Sequence, residues 1–156
     1  MGIDQIQLSS ELLKSLYPEI LVGSKEPFLG KNGRFISFLC YYPDQDFLPE
    51  EQFIFLHKML SACKLSMDDI VLVNTGRLSF TFEELKKQCQ PAIIFLWGIR
   101  PDSLGLNTYL PDFTISTIDG ISVVQVPSPD VMIGTDNSGH DLKQQLWACL
   151  KKLFNL

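Results

Sequence analysis

The run Phe55–Asn74, FLHKMLSACKLSMDDIVLVN, changes its period partway along. Its first half continues an apolar stripe, Phe53, Leu56, Leu60 and Cys63 with Met59 beside them, at the spacing of one helix face. Beyond Asp68 and Asp69 the pattern becomes Ile70-Val71-Leu72-Val73-Asn74, apolar without alternation. That is the signature of a strand buried on both faces. A helix feeding a fully buried strand is the repeating unit of an α/β sheet.

The flanking sequence extends this unit in both directions. Upstream, RFISFLC at 34–40 is another near-continuous apolar run of strand length. The turn YYPDQDFLPEEQ leads from it into the helix, with Pro49 suited to the first turn and Glu50 and Glu51 to the positive end of the helix dipole. Downstream, Thr75-Gly76-Arg77 forms an exit loop, and Thr81 with Glu84 predicts a capping box for a short helix to about Lys87. Pro91–Trp97, PAIIFLW, is a third buried strand, followed by a loop from Gly98 to Gly105 with a helical turn at Pro101. Phe113–Ile118 and Ile121–Val126 flank Asp119-Gly120, a strong hairpin signal. A last helix has Ser138 as N-cap and buries Leu142, Leu146, Cys149, Leu150 and Leu153, and both Trp97 and Trp147 are expected in the core.

The predicted fold is therefore α/β, a three-layer αβα arrangement around a four-stranded, mainly parallel sheet with an added β-hairpin. Residues 34–156 form this domain. Residues 1–33 read as an N-terminal arm: a short helix at 9–16, an extended piece at Ile20–Val22 and a flexible loop from Gly23 to Gly33.

Composition narrows the function classes. A chain of 156 residues, 46% apolar and 20% charged, suits one folded domain and excludes disorder. No apolar run approaches the roughly 18–20 residues of a membrane span, and the N-terminus has neither a secretory signal nor, with Ile6, a myristoylation motif. A net charge of −5 argues against nucleic acid as a direct high-affinity partner. Cys40, Cys63, Cys89 and Cys149 are scattered within or beside apolar runs, which suggests buried thiols in a reducing cytoplasm rather than metal ligands. No metal or cofactor is implied.

In a parallel sheet, ligands bind beyond the C-terminal strand ends. The candidate ligand- or partner-facing residues are accordingly Tyr41, Tyr42, Asn74, Arg77, Arg100 and Ser128, beside Gly98 and Pro127. Asp44 and Asp46 are the weak catalytic candidates, a carboxylate pair that would activate water, although turn and helix-entry chemistry also explains them. Asn74 faces a ligand or makes loop chemistry with Thr75 and Gly76. His57 reads as a packed or solvated helix residue and His140 as a first-turn residue, while Ser128 lacks a base partner.

Four ordered blocks carry a resemblance: FLHKMLSACKLSMDDIVLVN at 55–74, PAIIFLWG at 91–98, VVQVPSPDVMI at 123–133 and KQQLWACLKKL at 143–153. Together they resemble the bacterial uracil-DNA glycosylase superfamily and, equally, the psi subunits of bacterial DNA polymerase III, which share that fold without the activity. The resemblance spans roughly residues 34–154. It implies a glycine-rich loop after the first strand and a histidine before the Pro-Ser pair, the latter stabilising charge on a departing uracil. This sequence has Tyr41-Tyr42-Pro43-Asp44-Gln45-Asp46 in the first place and Val126 in the second.

The leading expectation is thus a non-catalytic protein-interaction module, psi-like and without base chemistry. Its expected partner is a replication or clamp-loader component, with the arm at 1–33 as a docking segment. Two alternatives stand beside it. One is a divergent uracil-DNA glycosylase or nucleotide hydrolase using Asp44 or Asp46. The other is a small-ligand or nucleotide binder around Asn74 and Arg100.

Overall fold

The computed structural model describes residues 28–156 apart from 78 and 134–136. The short helix and extended piece expected at 9–16 and 20–22 lie outside the described residues. In chain order the elements are β1 (Phe28–Leu29), β2 (Ile36–Cys40), α1 (Glu50–Ala62), β3 (Ile70–Asn74), α2 (Phe82–Cys89), β4 (Ile93–Trp97), a 3-10 turn (Pro101–Leu104), β5 (Ile115–Ile118), β6 (Ile121–Val126), α3 (Pro129–Met132) and α4 (Asn137–Leu153).

The strands form one six-stranded mixed sheet in the order β1-β3-β2-β4-β6-β5. The inner strands β3, β2, β4 and β6 are parallel, and β1 and β5 close the two edges antiparallel. This corrects the expected four-stranded sheet with an appended hairpin. The hairpin's second strand, β6, is itself one of the parallel strands, and β1 adds an edge where the sequence pattern predicts a loop.

β1 is illegible in the sequence because two residues show no periodicity. It is held instead by contacts from a distance: Phe28 stacks on Phe80 with ring centroids 5.4 Å apart. The chain after it is tied to the β3 entry by Asn32 N–H to Ile70 O at 2.9 Å and Arg34 N–H to Asp69 O at 2.9 Å. Residues 28–33 are therefore fastened to the sheet and not loose beside it.

The buried strands explain the apolar runs. Every residue of β2 and β3 is buried, so both faces of the central sheet are covered. On one face Phe38 stacks on Phe95 at 4.7 Å, and Trp97 meets both rings edge-on. Phe55 of α1 packs against Trp97, and Lys143 of α4 lies over the Phe55 ring, so both helices cover this face. Aromatic edges and faces at these separations add to the burial free energy. Phe28 is paired with Val73 and shares the opposite face with Leu39, and Phe80 packs there ahead of α2.

The local signals mostly resolve as expected. Both capping-box hydrogen bonds of Thr81 and Glu84 are present at the start of α2. Asp119 and Gly120 take φ of 52° and 79°, the two positive values of a type I′ hairpin turn. Two details differ. Among the described residues α4 already includes Asn137 and Ser138, so Ser138 lies within the helix and not ahead of it. Trp147 is 40% exposed because it sits beside, not on, the stripe of Leu146, Cys149 and Leu150. No helix among the described residues is long and apolar enough to cross a membrane.

Candidate functional site at the strand ends

Parallel strands deliver their exit loops to one end of the sheet. Here the loops after β2, β3, β4 and β6 bring Tyr41–Asp46, Asn74–Arg77, Gly98–Asp102 and Pro127–Asp130 to that end. The sequence candidates lie on these loops, but they do different work.

Asn74 is fully buried and its side chain is spent on backbone. Its Oδ1 accepts from Tyr42 N–H at 2.9 Å and Gly76 N–H at 3.0 Å. Its Nδ2 donates to the carbonyls of Tyr42 and Gln45, both at 2.8 Å, and to Asp46 at 3.3 Å. One amide carries two acceptor lone pairs and two N–H groups, so this set uses its full capacity. Asn74 thereby fastens the β2 exit loop to the β3 exit turn. Thr75 adds to the joint, donating its N–H and its hydroxyl to Cys40 O, each at 2.8 Å. Gly76 passes so near Pro43 that an added Cβ would stand 2.5 Å from its nitrogen.

Tyr42 and Tyr41 diverge. Tyr42 is half-buried and its hydroxyl donates to Asp130 Oδ1 at 3.0 Å, an oxygen that also accepts from Gln52 on α1. Burial, then this bond and the Asp130 charge, raise the Tyr42 phenol well above its ordinary range, so it stays a protonated donor. Tyr41, by contrast, is 61% exposed.

The carboxylate pair does not form a site. Asp44 and Asp46 are both exposed, and Asp46 pairs with Arg77 at 3.8 Å on the surface. An exposed pair of this kind contributes little to stability. Val126 is buried and registers with Trp97, so its side chain faces the aromatic core under α1. Ser128 is the N-cap of α3 without a side-chain cap bond, and it packs on Gly98. Burial pushes the Cys40 thiol up to about 12, and Cys40, Cys63, Cys89 and Cys149 are all buried. Among the described residues no group of three or more His, Cys, Asp and Glu side chains is placed to hold a metal ion.

Among the described residues this end carries a shallow surface with two hollows. One, of about 210 Å³, lies between Tyr41, Thr75, Gly98 and Arg100. The other, of about 450 Å³, lies between Arg100, Leu106, Tyr109 and Gln125. Arg100 and Asp102 line both and pair at 3.4 Å with both side chains mostly exposed. Tyr109, 84% exposed, escapes a reading of the sequence because its loop carries no periodic or turn signal. The partners of Asn74 escape it because backbone carbonyls have no sequence signature.

The two histidines lie away from these hollows. His140 is exposed on α4, its ring within 3.2 Å of the Gln144 amide. His57 on α1 has a buried Nε2 without a hydrogen-bond partner, and burial lowers its pKa below the ordinary 6.5. The neutral ring is thus favoured in the fold. Its contribution is complete above the unfolded value near 6.5 and is lost as pH falls through the lower folded value, because the unfolded chain takes the proton first. Thermal midpoints at pH 5 and pH 7.5 should show a decline toward acid that shrinks in His57→Gln. An unchanged decline in that variant would assign the acid sensitivity elsewhere.

Comparison with protein-family models and with curated protein sequences gives no match to this chain.

Proposed function

We propose that this protein is a non-catalytic interaction module, and that the end of the sheet where an α/β enzyme carries its chemistry serves it as a contact surface. The observation that carries this reading is the use made of the strand-end side chains. Asn74 is saturated by backbone, Asp46 is turned to Arg77 on the surface, and Tyr42 is committed to Asp130. The one ion pair that lines the described hollows, Arg100 with Asp102, is mostly exposed and joins an always-charged guanidinium to a carboxylate, not a proton donor to an acceptor. Tyr41, Arg100 and Tyr109 are among the residues that reach solvent there, beside the carboxylates Asp44, Asp46 and Asp102, and tyrosine and arginine are among the side chains most enriched at protein-interface hot spots.

In the same reading the layout is a three-layer αβα version of the uracil-DNA glycosylase-like scaffold, with Val126 standing where the resemblance places a histidine. A psi-like accessory role in replication is the specific form of this proposal, and a clamp-loader component is its partner. A membrane is no part of it, in keeping with described helices that are too short or too polar to cross one.

The test uses the full chain and the clamp-loader assembly of its own replication machinery. Titration calorimetry should give a saturable complex. The double substitution Tyr41→Ala with Tyr109→Ala should weaken it by roughly tenfold or more, the loss expected for truncating interface anchors. Removal of residues 1–27 measures the contribution of the arm separately. No complex, or a complex indifferent to both changes, would contradict the proposal.

A further inference from the structure

The two edges of the sheet are protected very differently. At one edge β1 is only two residues long, and both of them are buried. At the other, β5 exposes Ile115 and Thr117 on one face and carries no charged residue and no proline between Phe113 and Ile118. Proteins normally guard such an edge with charges, proline or a bulge, because its outward N–H and C=O groups are a template for another strand. The flanking carboxylates do not guard it here. Asp112 accepts from Gln125 Nε2 at 3.0 Å, and Asp119 pairs with Lys86 at 3.3 Å.

The outward groups can be identified. In a two-residue type I′ hairpin the residues flanking the turn, Ile118 and Ile121, form a hydrogen-bonded pair, so Thr117 and Ser122 form a non-hydrogen-bonded one. Ser122 confirms the phase: its N–H goes the other way, to Ala92 O at 3.1 Å. The backbone groups of Thr117, and by the two-residue repeat those of Ile115, therefore point away from β6.

We propose that β5 pairs antiparallel with β5 of a second copy, joining two sheets across a twofold axis at Ser116. The sequence is self-complementary in that register. Ile115 of each copy stands opposite Thr117 of the other, and these outward residues exchange their main-chain hydrogen bonds on both sides of the axis. β-Branched pairs of this kind stabilise antiparallel ladders. Ser116 meets its own copy in the non-hydrogen-bonded pair, with Cα atoms about 4.5 Å apart, where facing side chains approach most closely. Thr114 faces Ile118. Sliding the strands by one pair toward the turn sets Asp119 against Ile115, which disfavours that register. This proposal is independent of the strand-end surface.

Sedimentation velocity over a concentration series should show the 17.7 kDa chain in equilibrium with a dimer. Thr117→Pro removes only an outward N–H, so it should weaken self-association by roughly tenfold or more while leaving the bonds to β6 intact. Ser116→Lys places like charges at the axis and should do the same. Ser116→Cys supplies the register readout. Across a non-hydrogen-bonded pair the Cα separation lies within the roughly 4.4–6.8 Å of a disulfide, so mild oxidation should give a covalent dimer. Ile115→Cys, opposite Thr117 and not opposite itself, should cross-link far less. A chain that stays monomeric throughout, or a dimer unaffected by Thr117→Pro and Ser116→Lys in variants with native circular dichroism, would overturn the proposal.

Discussion

Replacing Asn74 with alanine should destabilise the protein by about 3–4 kcal/mol, near the upper end for single substitutions. The side chain is fully buried and joins five backbone groups: the N–H of Tyr42 and of Gly76, and the carbonyls of Tyr42, Gln45 and Asp46. Alanine removes every one of these bonds, and the N–H groups of Tyr42 and Gly76, both on half-buried residues, lose the acceptor they share. Five bonds to one buried amide are lost together, which places the expected effect well above that of a single average hydrogen bond. For a chain of this size the thermal midpoint should fall by roughly 10 °C. Asn74→Asp is the sharper variant. It keeps an acceptor for the two N–H groups but sets carboxylate oxygen against three carbonyl oxygens, so it should also be strongly destabilising at neutral pH. A thermal midpoint for Asn74→Ala within about 2 °C of the wild type would show that the loops hold without this amide.

Gly98→Ala should also be strongly damaging, for two reasons that act together. Gly98 has φ of +77°, a region costly for a residue with a Cβ. An added Cβ would also lie 2.5 Å from Ser128 Cβ and 2.7 Å from Ser128 Cα. Because the Ser128 backbone itself stands that close, Ser128→Gly cannot relieve the crowding, and the double variant should recover little. The β4 and β6 exit loops would have to separate, breaking the Gly98 N–H to Val126 O bond at 2.8 Å. A loss of about 2–4 kcal/mol in urea unfolding is expected. Full recovery in the double variant would place the cost in the Ser128 side chain alone.

Asn74 and Gly98 also mark how far the sequence can be read. The inner strands were legible because burial on both faces leaves a continuous apolar run, as in Ile70–Val73 and Ile94–Trp97. The β5–β6 hairpin was legible because Asp119-Gly120 names its own turn. α1 and α4 showed their core faces, although Ser138 and Trp147 fell on the wrong side of a boundary and a stripe. β1 gave no signal, since a two-residue strand is defined by its neighbour Val73 and by Phe80, not by its own pattern. Strand direction alone located the candidate site, but it could not say what the site contains. Asn74 reads the same in sequence whether it meets a ligand or five backbone groups, and Tyr109 gains its place only when the loop from Gly105 to Leu110 folds beside Arg100.

If the end of the sheet carries contact residues and no base-excision chemistry, the protein should leave uracil in DNA untouched. The direct measurement is release of free uracil from uracil-containing single- and double-stranded DNA, against a boiled control. No release above that control is expected from the wild-type chain. Time-dependent release that disappears in Asp44→Asn or Asp46→Asn would contradict the non-catalytic reading.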